Sequence, residues 1–189
     1  LYFSARPSKD EFFRARLFEE PLVSIDEREP SPADNAALAA ALLGYAGRST
    51  PDDFSSLNDF VKKHPASPWC GAVLVNLGLE AYRSAHYSLS LHAWKEAWRL
   101  TKAAKPSAAR AVADRAASEL AGLYARLGRM SELSALLAEA EGRVFTGPGG
   151  EKIAQARGGL WSMQNEPGVC FRCGPLALLS IQLAHDAGR

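Results

Sequence analysis

Residues 67–101 read SPWCGAVLVNLGLEAYRSAHYSLSLHAWKEAWRLT, and this stretch decides the fold. Ser67-Pro68-Trp69 is a helix start, because a proline in the first turn gives up an N–H that has no intrahelical partner there anyway. The predicted helix carries Cys70, Val73, Leu74, Leu77 and Ala81 at helical spacing and runs to about Ser84. A second helix spans Tyr87 to Thr101, and Lys105-Pro106-Ser107 breaks it. Two helices joined by a few residues make a helical hairpin, and the pattern continues on both sides.

Toward the N-terminus, Thr50-Pro51-Asp52-Asp53 predicts another start, with Thr50 as cap and acids in the first turn. That helix presents Phe54, Leu57, Phe60 and Val61 and must stop before Pro65. Ala33 to Ala46 carries Leu38, Leu42 and Tyr45 on one face, closed by Gly47. Toward the C-terminus, residues 108–127 and 130–142 form a further pair joined at Leu127-Gly128-Arg129. Composition agrees: 33 Ala and 24 Leu stand against 7 Val and 3 Ile. Ala and Leu lose least on entering a helix, whereas Val and Ile favour strands, so the composition argues against a β-sandwich, a β-barrel or a parallel α/β sheet.

Residues 1–32 read as a lead-in, punctuated by Pro7, Pro21, Pro30 and Pro32. A short helix at 8–20, with Phe12, Phe13, Leu17 and Phe18 near helical spacing, either packs on the main body or belongs to a partly ordered linker. Leu1-Tyr2-Phe3-Ser4 looks like a protease-site tag remnant and is set aside from fold reasoning. After residue 145 the composition changes. Thr146-Gly147-Pro148-Gly149-Gly150 reads as a loop; it lacks the Lys-Ser/Thr of a phosphate loop. One more helix at about 150–163 precedes a turn at Asn165-Glu166-Pro167-Gly168.

Charge narrows the function classes. Lys+Arg 22 against Asp+Glu 21 leaves a net +1, with both signs interspersed and no basic run longer than Lys62-Lys63. That is not the basic stripe of a nucleic-acid binder. No segment has the roughly 18 uninterrupted apolar residues of a membrane helix. Three cysteines in 189 residues are not a disulfide framework. Cys170-Phe171-Arg172-Cys173 has the spacing of half a zinc knuckle, but Cys70, His64, His86, His92 and His185 offer no matching second half. It also lacks the βαβ context of a redox dithiol. No metal and no cofactor is therefore expected.

Two resemblances add to this reading. Leu74, Leu77, Gly78, Tyr87, Trp94 and Ala97, and then Leu120, Ala121, Tyr124, Gly128, Leu137 and Ala140, resemble the tetratricopeptide pattern. Ala81, where that pattern carries Tyr, and the long Lys102–Ser107 connection depart from it. The resemblance implies an all-α, right-handed tetratricopeptide-like helical-hairpin solenoid over residues 33–145. Residues 146–189 would add a helix, a turn and a Cys-Gly-Pro helix. Such a stack exposes a concave surface, to which Tyr82, His86, His92, Trp98, Arg99 and Arg115 are assigned as binding residues. For each aromatic the competing reading is a core position.

Cys173-Gly174-Pro175-Leu176-Ala177-Leu178 resembles the nucleophile helix of papain-like cysteine peptidases of the bacteriocin-processing type. The resemblance implies Cys173 as nucleophile at a helix N-terminus and Gln164 near the oxyanion site. Gln164 lies nine residues upstream, where six is the expected spacing. Phe60-Val61-Lys62-Lys63-His64-Pro65, Ser67-Pro68-Trp69 and the later Cys-Gly-Pro segment together are similar to the N-terminal part of large bacterial RHS/YD-repeat proteins. This implies a fragment of a longer secreted or cell-surface protein.

A cysteine peptidase needs a His within about 3–4 Å of the sulfur. His185 is twelve residues from Cys173, roughly 18 Å along one helix, so the resembled family's His would lie beyond residue 189. The chain alone is then expected to be a protein- or peptide-binding module rather than a competent enzyme. Two alternatives stand for the last segment. Cys173 with Leu176, Leu179 and Ile181 closes the end of the solenoid, or an exposed Leu176-Leu178-Leu179-Ile181 face drives dimerisation.

Overall fold

The preference of Ala and Leu for helix is realised throughout the computed structural model, which is all-α. It describes the backbone of residues 1–25, 29–105 and 107–187, and their side chains except those of Cys173, Ala184, Asp186 and Ala187. Among the described residues there are ten helices and no strand. The chain divides into two compact units, Leu1–Leu120 and Ala121–Arg189, and the division falls inside the sixth helix.

The first unit is built around α4 (Cys70–Arg83), whose residues 70–79 are all buried. α5 (Tyr87–Thr101) has the predicted bounds and packs more extensively on α4 than any other described pair of helices. The turn at Ser84-Ala85-His86 is closed by the His86 N–H donating to the Ala81 carbonyl at 2.8 Å. Gly78 is what lets the two helices meet. A Cβ there would stand 2.2 Å from the Trp94 indole nitrogen, and that nitrogen donates to the Val75 carbonyl at 3.2 Å.

Before this hairpin, α2 (Pro32–Ala46) begins one residue ahead of the Ala33 expected. Pro32 occupies the first turn, and the Ser31 hydroxyl accepts the Asp34 N–H at 3.1 Å. Leu38, Leu42 and Tyr45 are buried. α3 (Ser55–Lys63) begins later than expected, and Thr50 is not its cap. The Asp53 carboxylate accepts the Ser55 N–H at 2.9 Å. Phe54 is buried, 6.5 Å from the Tyr45 ring, and the Asp53 N–H donates to the Thr50 carbonyl at 3.2 Å, closing a turn at Pro51-Asp52 ahead of the helix.

The lead-in packs on this body. α1 (Lys9–Ala15) opens with a capping box between Ser8 and Glu11 and ends at Arg16, whose φ of 43° is left-handed. The predicted helix over 8–20 therefore stops five residues early. Beyond it the chain bends through Phe18–Glu20, Phe18 lies 5.3 Å from the Tyr45 ring, and Leu22 is buried. Phe12 is buried and Phe13 is exposed. Phe3, set aside above as tag-like, is buried 5.2 Å from Phe12, and Ser4 donates twice to the Glu11 carboxylate.

α6 (Ser107–Arg126) crosses the division. In the second unit, α7 (Met130–Glu139) follows a turn in which Gly128 takes a φ of 65°. α8 (Gly147–Asn165) overturns the loop expected at Thr146–Gly150. Thr146 is the cap, and Pro148 sits in the first turn, where its lack of an N–H is harmless. The expected turn at Asn165–Gly168 is instead the end of α8 and a one-turn helix, α9 (Pro167–Cys170). The last helix is α10 (Cys173–Ala187).

Candidate functional site

The most elaborate polar arrangement starts from one residue that interrupts an apolar run. Asn76 sits in the middle of α4, is 1% exposed, and must find partners for its amide. It finds them on the lead-in. Its Oδ1 accepts the Glu20 N–H at 3.1 Å, and its Nδ2 donates to the Glu20 carbonyl at 3.0 Å. A second proton of the same nitrogen reaches the Ala72 carbonyl at 3.0 Å. Both backbone groups of a single residue in a non-helical segment are thus held by one side chain.

The Glu19 and Glu20 side chains meet two arginines. Arg115 of α6 donates from Nη2 to Glu19 at 2.7 Å, and its Nε lies 3.4 Å from Glu20 and 3.1 Å from Glu119. That Nε is buried and off the hydrogen-bond axis of either carboxylate, so the contact is an ion pair. Arg83 of α4 reaches Glu19 with Nη2 and Glu80 with Nη1, the latter at 2.6 Å. The Tyr45 hydroxyl donates to Glu80 at 3.3 Å. Burial, reinforced by the Glu80 charge, pushes the Tyr45 phenol up to about 12, so it remains a neutral donor. At the far end of the segment the Ile25 N–H donates to the Pro68 carbonyl at 2.9 Å. The Ile25 side chain occupies the space a Cβ on Gly71 would need.

Of the residues assigned to a binding surface, Arg115 alone enters this arrangement. Trp98 is corrected: it is 5% exposed and belongs to the core face of α5, at the spacing of Trp94. Tyr82 is half-buried between Tyr87 at 5.3 Å and Trp94 at 5.7 Å. His86 is exposed, edge-on to Phe54, with Nε2 3.6 Å from Asp52. His92 and Arg99 are exposed on α5, and Arg99 pairs with Glu96 at 2.8 Å. Sequence reasoning passed over Asn76, Arg83, Glu19 and Glu20. The available signal was a lone amide within the apolar run Cys70–Leu79, since a buried polar side chain must have a partner.

In the second unit Gln164 is exposed near the end of α8 and lines a shallow pocket of about 310 Å³ with residues of α7 and α8. Cys173 opens α10, and its side chain lies outside the described residues. α10 is unbroken between Cys173 and His185, which keeps the two roughly 18 Å apart by helical rise. Leu176, Leu179 and Ile181 do not close the end of a stack: they are 56%, 50% and 66% exposed. Leu178 and Leu183 are also exposed, so the apolar surface runs round the helix rather than along one face.

Cys70 is buried, its sulfur 3.1 Å from the His64 carbonyl, and burial pushes its thiol up to about 11. Among the described residues no group of three or more His, Cys, Asp or Glu could hold a metal ion, and no helix is long and apolar enough to cross a membrane. No protein-family model, curated protein or solved structure matches this chain.

Proposed function

We propose that this chain is a protein-interaction module of a larger bacterial protein, with a tetratricopeptide-like helical surface that binds a peptide or another domain of its parent. The observation that carries the reading is the Asn76 clamp on Glu20. Pairing with both backbone groups of one residue lets a folded surface hold a peptide's main chain whatever that residue's side chain. α10, apolar on both its faces, is the part of the module that another parent domain would cover.

The test uses the full chain carrying Glu19→Ala, Glu20→Ala and Leu22→Ala, which loosens the resident segment while Phe12 still anchors α1. A fluorescent peptide with the sequence of residues 16–25 is expected to bind this variant saturably at micromolar concentration by anisotropy. It is expected to bind the unaltered chain far more weakly, because the tethered segment competes at an effective concentration of about millimolar. No binding to a loosened chain that keeps its helical circular dichroism would defeat the reading.

A second reading, the N-terminal portion of a papain-like cysteine peptidase or self-processing element, is favoured by the position of Cys173 as the first residue of α10. A helix N-terminus favours thiolate, so the reading expects Cys173 to alkylate quickly even near pH 5. Labelling from pH 5 to 9, read by mass spectrometry, decides it. Cys70 is expected to stay unlabelled until the protein unfolds, since it is buried and hard to ionise. A Cys173 equally inert until unfolding is a packing residue, and this second reading is then abandoned.

A further inference from the structure

We infer that the surface formed by Tyr45, Asn76, Arg83 and Arg115 selects an acidic segment that bends at two adjacent carboxylates and continues into an apolar residue, and that residues 18–25 are a resident copy that a partner's segment must displace. The inference rests on the peptide-binding reading above and adds the ligand's chemistry and its regulation.

Three observations define that chemistry. The Glu19 carboxylate lies between two guanidinium groups, Arg83 from one helix and Arg115 from another. Glu20 stands beside Arg115 as well, so adjacent acids share one cationic wall. Leu22, two residues on, is buried at 5% exposure, which asks for an apolar side chain at that register. Asn76 fixes the register by gripping the backbone at the second acid. A guanidinium pair matches a carboxylate better than any neutral group, because its N–H groups are charged donors held in a planar fork.

The hold is also of a kind that exchanges. The Glu19 and Arg83 side chains are 40% and 53% exposed, so water and salt reach their ion pair. Exposed pairs contribute little to stability, while long-range attraction between them speeds association. Release of the segment also withdraws Leu22 and Ile25 from the body and opens both Asn76 hydrogen bonds, so a displacing partner must restore those contacts as well as the ion pairs. A partner carrying the same acidic pattern, at a concentration that rivals the tether, would take its place. The lead-in would then gate the surface.

The experiment returns to the loosened chain and compares three conditions. The peptide of residues 16–25 is tested against a version with Gln at both positions 19 and 20. The loosened chain is tested with and without Arg83→Gln, and separately with Arg115→Gln. Binding is then repeated from 50 to 500 mM salt. The expected result is at least tenfold weaker binding of the Gln-Gln peptide, loss of that preference in both arginine variants, and weakening with salt. Arg83 is over half exposed, so its replacement tests the charge without risk to folding even if Arg115→Gln destabilises α6. Equal binding of the two peptides overturns the acidic preference and leaves the peptide-binding reading standing. Failure of both peptides to bind overturns the two together.

Discussion

Replacing Trp94 by Ala is expected to lower the unfolding free energy of the Leu1–Leu120 unit by about 3–5 kcal/mol, the usual cost of emptying a buried Trp site. Trp94 is 1% exposed and lies against Gly78, with its indole N–H bonded to the Val75 carbonyl. The same contact makes a sharper forecast for Gly78. An Ala in mid-helix ordinarily gains about 1 kcal/mol over Gly. Here the added Cβ would fall 2.2 Å from the indole nitrogen and 2.5 Å from Cδ1, and that ring is held by its own hydrogen bond. The overpacking cost of about 1–3 kcal/mol or more should therefore outweigh the helix gain. Gly122, also within a helix, has nothing within 4 Å of its added Cβ. Gly122→Ala should accordingly stabilise by about 0.5–1 kcal/mol. Urea titrations of the three variants check this, and a stabilised Gly78→Ala would mean that α4 and α5 do not meet through this glycine.

Trp69→Ala is the second large loss, again about 3–5 kcal/mol, and it should reach further along the chain. Trp69 is 0% exposed and joins three parts of the first unit. It belongs to the start of α4, its ring lies edge-on 5.1 Å from Phe12 of α1, and its N–H donates to Asn35 of α2 at 2.9 Å. Asn35 in turn donates to the Pro7 carbonyl at 3.0 Å. Emptying this position removes the surface on which the lead-in rests, so the amides of Lys9–Ala15 should exchange with solvent at least tenfold faster. Trp161→Ala is the comparison, because Trp161 is 56% exposed and its loss should stay within about 0.5 kcal/mol. A Trp69→Ala protein with wild-type exchange in α1 would show that the lead-in is held by other contacts.

Where the sequence could be read, the deciding information was local. The helix at 33–46 was legible because Leu38, Leu42 and Tyr45 recur on one face, although the Ser31 cap and the first-turn Pro32 that start α2 were not named. Tyr87–Thr101 came out with its bounds because a continuous helical period lies between a turn and a proline-bearing break. The same local signals misled at Thr50-Pro51 and at Thr146–Gly150. In the first, the motif is a sound helix start, but the Asp53 N–H closes a turn onto the Thr50 carbonyl and the helix begins only at Ser55. In the second, a glycine-rich string that usually marks a loop forms the first turn of α8, where Pro148 is acceptable and later residues supply the packing.

The candidate site was less legible, for a different reason. Arg115 could be named from the sequence, but its partners Glu19 and Glu20 stand about a hundred positions earlier. Trp98 was assigned to a surface although it shares the helical spacing of Trp94, and periodicity cannot say which face of a helix another element will cover. Asn76 was visible only as an interruption of an apolar run.

Composition and helical periodicity by themselves determined that this chain is all-α, roughly where α2, α4 and α5 lie, and that Gly78 and Trp94 belong to one hairpin, although α4 begins at Cys70 rather than at Ser67-Pro68 and Ser67 does not cap it. These follow from propensities and hydrogen bonds that act within a turn or two of helix. Tertiary structure alone decided that the lead-in is part of the body, that Trp98 is core, and that Asn76, Arg83 and Arg115 converge on Glu19 and Glu20. A helical period specifies that a residue shares a face with its neighbours three and four positions away. It carries no record of which distant segment comes to lie on that face, and here that choice was made by burial and by the need of a buried amide for partners.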